Sequence, residues 1–244
     1  ASGDYAIAKS IDEYQQMYQP HLPGEYRDVG RPTRITPLYE TLKNAGAVYG
    51  DTFGWERAKW YAPAGVEEEY GFRRNNSFET VGEECRAVRE AVGLTDLTSF
   101  AKYEVTGADA HTLLERVCAN RVPAKDGAVV LSQMLTPLGG IESEATVTRL
   151  AKDHYYLLSG AVAELHDFDW LVQHIESGED VAVRNMTDDY GVLLLSGPKS
   201  REVLSSLTDA GLTNEDGFTW MSAKEITVAD ISVRALRVSY VGEL

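Results

Sequence analysis

Cysteine is almost missing: Cys85 and Cys118 are the only two in 244 residues. Two thiols in a chain of this length build no disulfide framework, and both fall in helix-like stretches, where buried structural thiols are expected. Basic residues are scarce as well, 23 Lys plus Arg against 38 Asp plus Glu, for a net charge of −15. Such a balance repels a phosphate backbone unless the basic residues cluster, and no cluster is visible, so nucleic acid is not an expected partner. No run approaches the ~20 apolar residues of a membrane helix, and the start lacks the basic and apolar regions of a signal peptide. A soluble protein of a reducing compartment, bacterial cytoplasm or mitochondrial matrix, is expected.

Several catalytic signatures are missing too. Gly197-Pro198-Lys199-Ser200 lacks the long spaced-glycine loop of a phosphate cradle, and Pro198 removes an amide that a phosphate would need. No GxGxxG follows a strand-like run. The five histidines, His21, His111, His154, His166 and His174, show no metal-binding spacing. His166 and His174 share one helical face but stand two turns apart, too far for one zinc ion, so solvated or core histidines are expected. Ser196 lies between a strand and a helix without a GxSxG frame, and a helix cap is its expected role.

What is there is a mixed pattern. With 43% hydrophobic and 25% charged residues the chain can bury a substantial core. Residues 1–36 show only a short helical pattern around Ile11, Tyr14 and Tyr18 and read as a connecting segment. A helix from Thr36-Pro37-Leu38 through Leu42 closes at Gly46. A second helix, Phe78 to Val92, carries apolar residues at Val81, Cys85, Val88 and Val92 and ends at Gly93, a plausible cap.

Strands follow at 103–106, 128–135, 146–150, 155–159, 181–186 and 192–196, with helices at 108–119, 161–175 and 197–207. Two final strands flank Asp230. Strands and helices without a regular βαβ repeat predict α+β.

The one chemical motif that stands out is Gly139-Gly140-Ile141-Glu142-Ser143-Glu144-Ala145-Thr146. A tight turn feeding a strand sets alternate side chains on one face, so Glu142, Glu144 and Thr146 are predicted to point together. An acid there can hold a protonated amine or take a proton from it; an exposed strand edge also carries acids.

Together these segments resemble the glycine-cleavage T protein and its relatives. Thr36-Pro37-Leu38-Tyr39 with Gly54-Trp55-Glu56 resembles the family's opening, and Cys85 to Arg89 with Gly93 to Leu97 resembles its next helix and strand. Met134 to Val147 is similar to its central glycine turn, and Leu195-Ser196-Gly197-Pro198 to a later turn. Ser239-Tyr240-Val241-Gly242-Glu243 resembles its folate-strand motif. Arg31-Pro32-Thr33-Arg34, Gly46 to Gly50 and Trp60-Tyr61-Ala62-Pro63 further resemble the middle of dimethylglycine and sarcosine dehydrogenases.

The resemblance implies a T-protein-like folate-binding fold, with both ends of the chain cut and the fold incomplete at its C-terminus. It implies that residues 1–35 are the tail of a preceding flavin oxidoreductase domain, 36–77 its middle segment, and 78–244 the T-protein-like domain. It also implies one-carbon transfer to tetrahydrofolate, with FAD in a domain of the same protein that oxidises an N-methylated amine. By position, the family's essential acid falls at Glu144, an Asp-to-Glu change. Thr146, Tyr240 and Phe100 match folate-contacting positions, and the acid that grips the pterin edge would lie beyond Glu243. A folate-binding module without catalysis and a stand-alone glycine-cleavage aminomethyltransferase are the alternatives.

Overall fold

Residues 3–239 are described by a computed structural model. The first of its two units, Ala1–Val88, opens with α1 (Gly3–Gln16), far longer than the short pattern visible in sequence. Its apolar stripe is not what holds it, since Ile7, Ile11 and Tyr14 stay exposed. A polar anchor is present instead: Asp12 is buried and lies 3.3 Å from the Arg27 guanidinium, which also pairs with Glu13.

The short helix α2 (Tyr39–Asn44) ends before Gly46. There φ is +94°, and a Cβ would stand 2.6 Å from the Ala62 carbonyl oxygen, so glycine is required. Strands β1 (Ala47–Thr52) and β2 (Trp55–Tyr61) then form an antiparallel hairpin. Trp55 and Trp60 of β2 are buried, and Glu56 takes a two-pronged bond from Arg31, Nε at 2.9 Å and Nη2 at 2.6 Å. A buried carboxylate needs such a partner, and the flat guanidinium fits it.

Helix α3 (Phe78–Glu90) forms as expected but buries none of its residues fully. Cys85 is exposed, contrary to the expectation of a buried thiol. Gly93 is not a cap: it begins β3 (Gly93–Asp96), opposite Ser196.

In the second unit, Arg89–Leu244, β4 (Ala101–Thr106) and α4 (Ala110–Val117) are followed by β5 (Val129–Leu135), β6 (Ile141–Ala151) and β7 (His154–Ser159). A 3₁₀ turn at Ala161–Ala163 leads into α5 (Glu164–Gln173) and β8 (Ala182–Asn185). Next come β9 (Leu193–Ser196), α6 (Ser200–Ser205) and the hairpin β10 (Ser222–Val228) and β11 (Ile231–Arg237). The main sheet is antiparallel with order β5-β6-β7-β4-β8, and β3 pairs with β9 separately.

One face of that sheet is the core. Tyr103, Val105, Ala145, Val147, Tyr155 and Leu157 point to it and are covered by Leu113, Leu114 and Val117 of α4 and Leu171 of α5. At about 25 cal/mol per Å² of apolar surface removed from water, this layer is the main stabilising contribution of the unit. Cys118, at the end of α4, packs against it, and burial pushes its thiol up to about 11.

Ser196 belongs to β9 and makes no helix cap; α6 begins after Lys199, without a side-chain cap bond. Among the described residues no helix is long and apolar enough to cross a membrane.

Candidate functional site

The second face of the main sheet carries polar groups. Strand alternation places Lys102 and Glu104 of β4, Tyr156 and Leu158 of β7, and Glu144, Thr146 and Thr148 of β6 there. The β10–β11 end of the unit reaches this face: the Arg234 guanidinium lies 4.6 Å from the centre of the Tyr156 ring and is bonded to Glu225 at 2.8 Å. Tyr156 is buried beneath it, and that burial pushes its hydroxyl up to about 12.

Glu144 and Thr146 share this face, two positions apart, about 7 Å along the strand. Glu144 is exposed and Thr146 half-buried. Glu144 stands directly opposite Gln133 of β5, whose Nε2 donates to the carboxylate at 2.6 Å. One oxygen is thereby fixed while the side chain faces solvent.

Ala101, Ser159 and Ala145 form one row across the sheet. Phe100 and Glu144 each stand one residue beyond that row at the same end, on strands two places apart, about 10 Å. Phe100 is half-buried, and its carbonyl accepts a bond from Lys102 Nζ at 2.9 Å. Tyr240 lies outside the described residues, as does the rest of the motif from Val241 to Glu243.

Glu142 does not join Glu144 and Thr146 as the alternation predicted. The register shifts between Met134 and Leu135: Met134 faces Ser143, but Leu135 faces Ile141, so β6 carries one extra residue. A bulge of this kind breaks the two-residue alternation. Glu142 turns toward α5 and meets His166 Nε2 at 2.8 Å, on the sheet face opposite to Glu144.

Sequence reasoning passed over Lys102 and Gln133. Lys102 is fully buried, and its ammonium donates to the carbonyls of Thr98 (2.8 Å), Phe100 (2.9 Å) and Thr187 (2.9 Å). It ties the segment before β4 to the segment after β8. A lone lysine inside Phe100-Ala101-Lys102-Tyr103 is the signal that marked it. Gln133 carried no such signal, because its role depends on register. Asp96 acts within its own turn, accepting from the Thr98 amide at 2.9 Å, whereas Arg237, at the end of β11, reaches back to the loop before β10 and donates to Asn214 Oδ1 at 2.6 Å and to the Phe218 carbonyl at 2.5 Å.

The five-stranded antiparallel sheet that carries this polar face has a fold that comparison identifies. A solved structure, the glycine cleavage system aminomethyltransferase T from Bartonella henselae, superposes with a TM-score of 0.64 at 27% identity, covering 79% of this chain and 47% of that one. The fold is therefore that of the T-protein-like aminomethyltransferases. Residues 38–244 match the GCVT N-terminal domain, and the chain belongs to that family.

Relatives along nearly the whole chain include dimethylglycine and sarcosine dehydrogenases and a 4-methylaminobutanoate oxidase (formaldehyde-forming) of Paenarthrobacter nicotinovorans, 32% identical over 99% of this chain and 29% of its own length. The mitochondrial dimethylglycine dehydrogenase of Mus musculus is 39% identical over 98% of this chain and 28% of its own length. The mitochondrial sarcosine dehydrogenase of Homo sapiens is 29% identical over 97% of this chain and 30% of its own. The chain thus spans less than a third of the length of these relatives.

Proposed function

We propose that this chain is the one-carbon transfer portion of a flavin-dependent N-methyl amine dehydrogenase, passing the oxidised methyl carbon of dimethylglycine or sarcosine to tetrahydrofolate. The observation that carries the proposal is the pairing of Glu144 and Thr146 on one open strand face, inside a T-protein-like fold. A carboxylate acceptor, a hydroxyl and an aromatic ring at Phe100 suit a flat heterocycle rich in N–H donors, as tetrahydrofolate is. In this proposal Thr146, Phe100 and Tyr240 hold the folate. Glu144 orients its reacting nitrogen and takes up the proton released when that nitrogen bonds to the incoming carbon.

FAD, which supplies the oxidation of the N-methyl group, is proposed to be held by another part of the same protein. Residues 1–35 are assigned to the tail of that flavin domain, 36–77 to an oxidoreductase middle segment, and 78–244 to the folate-binding part. Similarity to the mouse relative across 98% of the chain, where the family match begins only at residue 38, favours this over a stand-alone aminomethyltransferase. The mouse and human relatives are named mitochondrial; for this protein a mitochondrial matrix or bacterial cytoplasm is proposed.

The test is the Glu144→Gln variant of the intact protein, with formation of 5,10-methylenetetrahydrofolate followed from the N-methylated amine. The proposal expects transfer to fall about 100-fold while flavin reduction by the amine is unchanged. Unchanged transfer removes Glu144 from the chemistry. Folate bound tightly by calorimetry with no turnover in the unsubstituted protein points to a binding module, in which Glu144 stays engaged with Gln133.

A further inference from the structure

The bulge that separates Glu142 from Glu144 is held from the far side of the sheet. His166, in the first turn of α5, makes two contacts: Nε2 to Glu142 Oε1 at 2.8 Å and Nδ1 to Asp167 Oδ1 at 3.1 Å. Asp167 is wholly buried, and its other oxygen has no hydrogen-bond partner among the described residues. His166 is itself half-exposed and stacks on Trp170, 13° from parallel. The imidazole thus bridges a carboxylate rooted in the core and a carboxylate on the bulge, two residues before Glu144.

We propose that His166 is a positioning residue: by tying Glu142 to Asp167 it locks the β6 bulge and thereby sets the reach of Glu144 on the opposite face. The inference rests on the role of Glu144 proposed above. A bulge leaves one residue outside the ladder and frees the strand to slip locally. Met134 facing Ser143 and Gln133 facing Glu144 are the first pairs past it, so a slip there moves the acid directly. Misplacing a reacting group by about 1 Å costs on the order of 100-fold in rate.

The clamp depends on protonation. A neutral imidazole has one N–H and can donate to one carboxylate; the imidazolium donates to both. The groups facing the clamp are Glu142 from β6, Asp167 from its own helix and, near Asp167, the Tyr103 hydroxyl from β4. Bonding to Asp167, and then to Glu142, raises the His166 pKa above its ordinary 6.5. The clamp is therefore complete below the ordinary value and is lost as pH rises through the raised one. Arginine, which stays charged throughout, keeps such a clamp closed.

The experiment uses the intact protein, its His166→Gln, His166→Arg and Glu142→Gln variants, calorimetric affinity for tetrahydrofolate from about pH 5.5 to about 8.5, and amide exchange at Ser143 to Ala145. Folate affinity in the unsubstituted protein is expected to weaken about tenfold as His166 loses its proton, with the protection of Ser143 to Ala145, measured as exchange relative to the base-catalysed rate of an open chain at each pH, falling over the same range. His166→Gln and Glu142→Gln should give the weak level at every pH. His166→Arg should restore affinity at the alkaline end, which a merely structural histidine does not predict.

A pH profile identical in His166→Gln and the unsubstituted protein overturns the inference. If the unsubstituted protein binds no tetrahydrofolate, the proposed function fails on its own, and amide exchange still decides the clamp. A pH step in exchange that is lost in His166→Gln and Glu142→Gln upholds it, and equal exchange in all forms overturns it.

Discussion

Lys102 shows how one side chain can hold a site without entering it. Its ammonium is fully buried among three carbonyls, a set that replaces the water a charge gives up on burial. Replacing it with methionine keeps most of the volume and leaves all three carbonyls without their donor. Lys102→Met is expected to lower stability by about 3 kcal/mol or more, read as a shift of the urea midpoint at unchanged slope. Because two of the acceptors are the carbonyls of Thr98 and of Phe100 itself, the same change should loosen that end of the sheet. Gln133 works on a smaller scale, fixing one oxygen of Glu144 from the neighbouring strand.

At the level of elements, the second unit depends on tight junctions between strands and helices. Gly107 links β4 to α4 at φ +117°, and a Cβ there would stand 2.1 Å from the Asp180 carbonyl oxygen. Both strain and collision oppose any side chain, so Gly107→Ala is expected to cost about 2 kcal/mol or more, visible as a lowered Tm. The strands β4 to β7 were legible in sequence because their core face alternates cleanly, Tyr103 and Val105 against Tyr155 and Leu157.

Two elements and the facing of one residue were not legible, each for its own reason. The full extent of α1 escaped because its apolar residues stay exposed, so periodicity measured nothing that the fold buries. The hairpin of β1 and β2 was hidden by a run of tryptophans and charges in which Glu56 goes inside with Arg31. The position of Glu142 was misread because a bulge changes strand parity without any mark in composition. The acid-bearing strand after Gly139-Gly140 was found; the side to which each acid points needed the register.

Across the whole molecule, the four tryptophans sample three environments. Trp55 and Trp60 are buried in the first unit, and Trp220 is 63% exposed in the second. Trp170 is flanked on both sides by imidazoles, His166 and, at 4.5 Å between ring centres, His174. A protonated imidazole against an indole ring draws on its π electrons and dims its emission. The protein therefore carries an intrinsic optical gauge of the His166 charge. In a His174→Gln background, which removes the nearer imidazole, steady-state fluorescence should drop as pH falls through the raised pKa of His166, and adding His166→Gln should erase that step while the buried pair Trp55 and Trp60 goes on emitting in the blue. A cuvette titration thus reads, without labels or ligand, the same proton that governs the bulge beneath Glu144.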